Sequence, residues 1–208
     1  MVHDRRIDGK THIFGNASTL YKNAMTWYDH ETGSIWSQPW GRALQGEHKG
    51  VELFLLPFQL TTWVNWKTTH PHTLAMTNDW ELLIGREGFD PNFVIGLLFA
   101  GNNKAYYYGE VAEAGVVNDM LGEFPVVVWA KDNNYQAYLR TVDDLALTFT
   151  IQGDNIVDEE TSSTWDLSRG LATDGLLAGQ GLQAVPSLSA FDWAWTDFYP
   201  QSTFYQPK

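Results

Sequence analysis

Cysteine is absent from this chain of 208 residues, and basic residues are scarce. Without a thiol the chain has no disulfide, no thiolate nucleophile and no cysteine-ligated metal. Its 13 lysines and arginines face 25 acids, which gives a formal net charge of −12. Such a charge repels a phosphate backbone and an anionic membrane surface, so we expect no nucleic-acid partner.

Long apolar runs are also missing, and none reaches the roughly 18 residues that a membrane-spanning helix needs. The first residues are charged and lead into no apolar segment, so the printed sequence predicts no signal peptide. Aromatic residues, in contrast, make up 14% of the chain and include ten tryptophans. That is more than a core of this size needs, and we expect some of these rings to line a groove or a surface.

An internal repeat with a constant offset of 129 residues organises the chain. The segment 29–36, DHETGSIW, returns as 158–165, DEETSSTW, and 158 − 29 = 129. The same offset pairs glycines, prolines and a further tryptophan without a gap: Gly41 with Gly170, Gly46 with Gly175, Gly50 with Gly179, Pro57 with Pro186, Trp66 with Trp195 and Pro71 with Pro200. This register indicates a duplication. We predict a single domain over 1–208, with a partial repeat unit at 4–76, a linker at 77–92 and a complete unit at 93–205.

Short apolar stretches between regular Gly, Asp and Asn turns dominate the rest of the sequence. Asp8-Gly9 predicts a tight hairpin turn, residues 20–28 an aromatic-rich strand, and residues 60–67 a helix that ends before Pro71. Together these signals predict a mainly β fold. We expect a sandwich or barrel-like domain of short antiparallel strands with a few short helices.

Three motifs and a His-Pro pair have an unusual composition. They are DRRIDGKTHIFG at 4–15, TGSIWSQ at 32–38, TTWVNW at 61–66 and His70-Pro71. This set resembles a large prokaryotic family known only as domain-of-unknown-function family 3179. The resemblance covers most of the chain and implies a β-rich repeat domain, often exported or periplasmic, with no assigned activity. Family members usually carry a Cys-Pro-x-Cys-Gly segment before the first motif; the printed sequence has none, which puts any chemistry of those cysteines in doubt.

The sharpest metal-like pattern is the His-Pro-His segment at 70–72. Alternate side chains of an extended segment point the same way, so His70 and His72 could converge on one ion. The second copy reads Tyr-Pro-Gln at 199–201, however, which argues against a shared role. A third ligand among His3, His12, His30 and His48 cannot be located from the sequence. We predict no metal site and no cofactor, and His70 and His72 remain the candidates.

Acidic residues stand at matching places in both copies: Asp29, Glu31, Asp158 and Glu160. Paired carboxylates suit general acid–base chemistry. Their setting, Asp-x-x-Thr-Gly-Ser in the first copy, is nevertheless typical of a turn in which Asp bonds nearby backbone amides. We therefore favour a structural role for them.

Positions at which the copies differ are free to bind a ligand, and they place a site on the first copy around Gln38, Trp63 and His70. Asp29 and Trp36 complete our set of candidate ligand-binding residues. Tryptophan rings there could stack on a sugar or another small flat molecule. Trp66 and Trp195, which repeat in register, are instead expected in the core.

Two function classes follow. The first is a binding or structural module of an exported or envelope-associated protein, with a small molecule or carbohydrate as ligand. The alternative is a hydrolase or metal-dependent enzyme with a His/carboxylate site in a cleft between the repeat units. The first is favoured because no catalytic constellation stands out. A monomer is favoured over a dimer because the high negative charge opposes self-association.

Overall fold

The structure, a computed structural model, describes residues 1–75, 90 and 92–207, and in these residues the chain is mainly β. The predicted linker at 77–92 lies outside the described residues, apart from 90 and 92. The strands are, in chain order, β1 (Val2–His3), β2 (Arg6–Ile7), β3 (Lys10–Thr11), β4 (Phe14–Tyr21), β5 (Ala24–Asp29), β6 (Ile35–Ser37), β7 (Arg42–Gln45), β8 (Leu55–Leu56), β9 (Phe93–Phe99), β10 (Asn102–Tyr107), β11 (Val116–Leu121), β12 (Phe124–Lys131), β13 (Asn134–Leu139), β14 (Thr141–Val142), β15 (Leu145–Ala146), β16 (Phe149–Gln152), β17 (Asn155–Asp158), β18 (Thr164–Asp166), β19 (Leu171–Asp174), β20 (Ser187–Phe191) and β21 (Thr203–Phe204). The helices are α1 (Trp63–Thr69), α2 (Tyr108–Ala114) and α3 (Asp192–Phe198). None of the described helices is long and apolar enough to cross a membrane.

Local turn chemistry decides where the first strands begin and end. Asp8 and Gly9 have φ of 49° and 76°, which confirms the tight turn between β2 and β3. The strand predicted at 20–28 is interrupted, because Lys22 and Asn23 adopt φ of 49° and 60° and form the turn of the β4–β5 hairpin. Residues 20–21 end β4 and residues 24–28 lie in β5. Two consecutive residues with positive φ form the same type of tight hairpin turn as Asp8 and Gly9, but a lysine in the sequence rarely indicates such a turn.

The predicted helix at 60–67 is present as α1 but begins three residues later. Thr62 has an extended backbone and its hydroxyl accepts a hydrogen bond from the Asn65 amide at 3.3 Å, so Thr62 is the N-cap. The helix ends at Thr69, two residues before Pro71. A proline excludes helical geometry at the residue before it, which explains the end point.

The chain divides into two compact units that each draw on separated segments. Unit 1 comprises Met1–Phe58, Asn92–Tyr107 and Val185–Lys208. Unit 2 comprises Gln59–Pro91 and Tyr108–Ala184. Both units contain residues of both sequence copies.

Unit 1 contains two four-stranded sheets, ordered β4-β5-β6-β7 and β20-β9-β10-β21, and two small pairs, β1-β8 and β2-β3. All pairs are antiparallel except β10 with β21. Trp36 is fully buried under the first sheet, among Ile7, Ala43 and Leu53. Trp195 of α3 is 1% exposed and lies on the second sheet, where a Cβ at Gly96 would clash with its ring. Gly96 is therefore the gap that admits this tryptophan.

Unit 2 contains the antiparallel sheets β11-β12-β13 and β16-β17-β18-β19 and the pair β14-β15. One cluster of its core consists of the buried residues Val127, Tyr138, Val142, Leu147, Phe149, Trp165, Leu167, Ala172 and Leu182. Trp165 takes the place in this core that Trp36 takes in unit 1.

The duplication is visible as the same order of elements in both copies. Strands β5, β6 and β7 match β17, β18 and β19 in sequence order and antiparallel pairing. In both copies a seven-residue helix follows further along the chain, α1 in the first and α3 in the second. Helix α1 nevertheless belongs to unit 2 and α3 to unit 1, so each copy contributes its helix to the unit that holds the other copy's four-stranded sheet.

The offset between the copies changes once, inside the β4–β5 hairpin. Phe14 pairs with Asp29 in the first copy and Phe149 with Asp158 in the second, so the first hairpin is six residues longer (15 − 9). Upstream of it the matching offset is therefore 135 (149 − 14). This offset relates His3 to Tyr138. The His3 ring lies against Gly41, where an added Cβ would be 2.6 Å from it, and the Tyr138 ring lies in the same way against Gly170, at 2.5 Å.

The two repeated tryptophans should respond differently to truncation, because their burial differs. The expected core role is confirmed for Trp195 but is wrong for Trp66, which is half-buried on a helix without a fully buried residue. Trp195→Ala should lower the free energy of unfolding by ~3–5 kcal/mol, and Trp66→Ala by about 1–2 kcal/mol. Urea unfolding measures both, with the exposed Trp63→Ala as control. Equal losses at 66 and 195 would contradict this difference.

Candidate functional site

A buried aspartate closes the repeated turn of the first copy. Asp29, the last residue of β5, is 0% exposed. Its Oδ1 accepts hydrogen bonds from the Thr32 amide at 2.6 Å and the Thr32 hydroxyl at 2.7 Å, and its Oδ2 accepts one from the Trp36 indole at 2.8 Å. The turn and the core tryptophan are thus attached to one carboxylate.

The second copy repeats this network. Asp158 accepts hydrogen bonds from the Thr161 amide at 2.6 Å, the Thr161 hydroxyl at 2.8 Å and the Trp165 indole at 2.9 Å. The glutamates also agree: the Ile13 amide donates to Glu31, and the Thr148 amide donates to Glu160. The acids at matching positions therefore organise the turn in both copies, whatever else they do.

Two histidines in unit 1 take the places of two leucines in unit 2. His12 corresponds to Leu147 by the upstream offset (147 − 12 = 135), and His48 corresponds to Leu177 by the downstream offset (177 − 48 = 129). Leu147 is 0% exposed, and Leu177 packs against the same core. In the second copy, apolar side chains thus occupy the positions at which the first copy has imidazoles.

The two imidazoles meet beside the buried carboxylate. Their ring centroids are 5.2 Å apart with an interplanar angle of 70°, and His12 Nδ1 lies 4.0 Å from Asp29 Oδ1. His12, Asp29 and His48 each offer one ligand atom within 4.8 Å of the other two. Glu31 is adjacent, with its Oε2 3.5 Å from His12 Nδ1. This is the only such group of three among the described residues.

Both imidazoles carry a buried nitrogen that is not hydrogen-bonded. In the part of the chain that the structure describes, neither His12 Nδ1 nor His48 Nε2 has a hydrogen-bond partner. His12 is only 5% exposed. An unsatisfied buried polar group costs about 1–3 kcal/mol, so this pair is a poor choice for packing alone.

Asp29 also accepts fewer hydrogen bonds than its counterpart. In unit 2 the Ser163 amide donates to Asp158 Oδ2 at 3.1 Å. In unit 1 the Ser34 amide donates instead to the Thr32 hydroxyl at 3.2 Å. A carboxylate offers about four lone-pair positions, so Asp29 Oδ2 retains acceptor capacity on the oxygen that Asp158 uses more fully.

The electrostatics keep this carboxylate ionised. Burial acts to raise the pKa of Asp29, but hydrogen bonds from Trp36 and Thr32 and the charge of His48 outweigh it, and the net pKa is lowered. A metal ligand must be deprotonated, and Asp29 meets that condition at neutral pH.

Two imidazole nitrogens and a carboxylate oxygen form a donor set for a divalent transition metal. Zinc takes nitrogen and oxygen ligands at roughly 2.0–2.2 Å in tetrahedral sites. Imidazole with carboxylate also suits iron, cobalt or nickel, whereas calcium and magnesium prefer oxygen alone. Ligands of one tetrahedral ion lie roughly 3.4 Å apart, so binding would draw His12, Asp29 and His48 slightly together.

The residues proposed from the sequence fall in several places. Asp29 and Trp36 lie at the histidine cluster, whereas the Gln38 carbonyl accepts a hydrogen bond from His3 Nε2 at 3.1 Å elsewhere in unit 1. Trp63 is 47% exposed at the start of α1 in unit 2. Asp29, Trp36 and Gln38 thus belong to unit 1, and Trp63 and His70 belong to unit 2.

Among the residues that the structure describes, the two histidines of the His-Pro-His segment belong to no cluster with acids. His70 stacks on Trp66 with centroids 3.7 Å apart, and its Nδ1 is hydrogen-bonded to the Thr69 hydroxyl at 2.8 Å. His72 is exposed. Sequence reasoning selected these residues because they are neighbours, and it missed His12 and His48. Comparing copies would have revealed His48 against Leu177, but His12 lies beyond the longer hairpin, where the 129-residue register no longer holds.

Comparison with known proteins gives a family and no activity. A family model described as Protein of unknown function (DUF3179) matches residues 1–82 and 90–202. No curated protein and no solved structure matches the chain.

The lowered pKa of Asp29 predicts a specific pH dependence of stability. Because its pKa in the folded protein lies below the ordinary value of 3.8, the unfolded chain takes up the proton first as the pH falls. The stabilisation by the ionised carboxylate is complete well above pH 3.8 and is lost as the pH falls through the lower folded-state pKa.

Asp29→Asn should therefore destabilise the protein more at pH 7 than at pH 3. Urea unfolding with a metal chelator present measures the difference, with the exposed Glu47→Gln as control. A loss of stability that is the same at both pH values would show that the charge of Asp29 does not contribute.

Proposed function

The chain belongs to the DUF3179 family, whose name carries no activity, and we propose that it is a binding module that holds one divalent transition-metal ion between His12, Asp29 and His48. Zinc is the ion that we expect, because it accepts this donor set without a demand for a particular redox state. The proposal gives the binding-module hypothesis a specific ligand. Export stays a prediction that rests on the family resemblance.

One observation carries the proposal: the histidines replace leucines. The fold tolerates Leu147 and Leu177 in the same surroundings, so neither imidazole is needed for packing. Each histidine has a buried nitrogen without a hydrogen bond, yet both stand beside an ionised carboxylate, and a cation that all three bind accounts for this arrangement.

Glu31 is suited to the fourth coordination position. Its role in holding the hairpin is shared with Glu160, but only Glu31 lies beside an imidazole, at 3.5 Å. Its side chain is 38% exposed, so the ion would reach the buried ligands from this side. With Glu31 bound the site is a closed four-ligand site, the arrangement of binding and structural zinc rather than of catalysis. This favours a binding module over the metal-dependent hydrolase.

The double variant His12→Leu/His48→Leu copies the second copy and should lose metal binding. We expect the unchanged protein to bind one Zn²⁺, measured by competition with a chromophoric chelator, and Co²⁺ to give the visible absorption of a tetrahedral site. The variant should bind Zn²⁺ at least about 100-fold more weakly. Loss of a group that only hydrogen-bonds to a metal ligand already lowers metal affinity about 10–100-fold. The control His70→Ala/His72→Ala should bind as the unchanged protein does.

Equal Zn²⁺ affinity of the leucine variant and the unchanged protein would sink the proposal. Loss of Zn²⁺ binding in the control His70→Ala/His72→Ala, with binding retained in the leucine variant, would also contradict it.

The same leucine variant should be at least as stable as the unchanged protein when both are metal-free. It replaces two unpaired buried nitrogens by side chains that the fold accommodates in unit 2. Zn²⁺ at 100 times its Kd should stabilise the unchanged protein by about 2.7 kcal/mol and the variant by at most about 0.4 kcal/mol. Thermal unfolding with and without Zn²⁺ measures both effects; a variant that is less stable without metal would mean that the imidazoles serve packing.

A further inference from the structure

Unit 2 contains a cleft of about 320 Å³ whose lining residues all differ from those of the histidine cluster of unit 1. Its walls come from α1 and the residues before it, from the turn between β12 and β13, and from the turn after β18. The volume is within the range of small-ligand sites. All of its lining residues belong to unit 2.

Hydrogen bonds hold the walls of this cleft in place. Asn134 is 5% exposed, and its Oδ1 accepts a hydrogen bond from the Thr62 amide at 3.0 Å, which joins the N-terminus of α1 to the β12–β13 turn. Its Nδ2 donates to the carbonyls of Lys131 and Asp132. The Gln59 side-chain amide donates to the Ser168 carbonyl at 3.3 Å. The cleft is therefore shaped before a ligand arrives.

Aromatic rings stand in unit 1 at the positions of two residues that line this cleft. By the offset of 129, Arg169 corresponds to Trp40 and Thr69 to Phe198. Trp40 and Phe198 pack edge to face with centroids 5.2 Å apart, and the Trp40 indole donates to the Phe198 carbonyl at 2.9 Å. In unit 2 Arg169 and Thr69 instead line the cleft. The fold therefore accepts a packed aromatic pair at these two positions, where unit 2 has polar side chains.

The chemistry of the lining suits an anion. Lys131 and Arg169 both contribute to it, and neither forms an ion pair with any residue in 1–75, 90 or 92–207. Asp132 is the one acid in the lining. A chain with a net charge of −12 repels anions at long range, so two cations in one cleft supply the local attraction that an anionic ligand needs. Arg presents a planar fork that matches a carboxylate.

The remaining lining suits a sugar ring. Trp129 provides aromatic surface, on which the C–H face of a sugar packs. Asn65, Thr68 and Thr69 place an amide and two hydroxyls around the same space, and these both donate to and accept from ring hydroxyls. His70, one of the ligand-binding residues suggested by the sequence, also lines the cleft.

We propose that this cleft binds a sugar acid, with the carboxylate between Lys131 and Arg169 and the ring against Trp129. The proposal is independent of metal binding in unit 1, because it uses different residues in a different unit. A chelator in the assay keeps the two apart.

Isothermal titration of the full chain with glucuronate, glucose and inorganic phosphate tests it. Glucuronate should bind, and glucose and phosphate should each bind at least about tenfold more weakly, because each lacks either the carboxylate or the ring. Arg169→Gln and Lys131→Gln should each weaken glucuronate binding about tenfold or more. Lys49→Gln, which removes the same charge from an exposed position in unit 1, should leave it unchanged.

The variant Arg169→Trp/Thr69→Phe copies unit 1 and should fill the cleft and abolish binding without unfolding the protein. No binding of glucuronate to the unchanged protein, or the same affinity after Arg169→Gln, would overturn the proposal. Phosphate that binds as tightly as glucuronate would overturn the sugar-acid assignment in favour of a simple anion site. If Arg169→Trp/Thr69→Phe does not fold, the two Gln variants decide the outcome.

Discussion

The hydrogen bond between a buried aspartate and a core tryptophan is the interaction on which the architecture depends. Asp29 and Asp158 are wholly buried, and each accepts from the indole seven residues later. An ionised carboxylate is stable in such a place only when its lone pairs are satisfied, so the turn must fold around it. One group therefore determines the turn and the direction in which the tryptophan enters the core.

With this scaffold present twice, the places where the copies differ become informative. Leucines in unit 2 stand where His12 and His48 meet in unit 1, and aromatic rings in unit 1 stand where Arg169 helps to line the cleft of unit 2. In each case one copy shows that an apolar filling is compatible with the fold. The polar alternative is therefore not needed for packing, and we propose a ligand as the reason for it.

Local signals predicted the parts of the fold that depend on few residues. The Asp8-Gly9 turn and the helix before Pro71 follow from backbone preferences. The turn at Lys22-Asn23 was missed because lysine rarely takes positive φ. The core role expected for Trp66 failed because burial depends on what packs against a helix, and α1 meets different neighbours from α3. Of the residues at the histidine cluster, Asp29 and Trp36 were candidates from the sequence, whereas His12 and His48 were named only as possible third ligands for the His70 pair.

The sequence by itself determined the mainly β class and the aspartate turn, because each rests on residues within a few positions of one another. It also indicated the duplication, because the offset of 129 residues holds without a gap from 29 to 71. Only the tertiary structure decided which unit each helix joins and which histidines meet. His12 and His48 are 36 residues apart in the sequence (48 − 12), and the sheet β4-β5-β6-β7 lies between them in the chain. No local backbone preference specifies the order of the strands in that sheet. Long-range contacts depend on how whole strands pair and pack, and a hairpin that is six residues longer is enough to hide the correspondence.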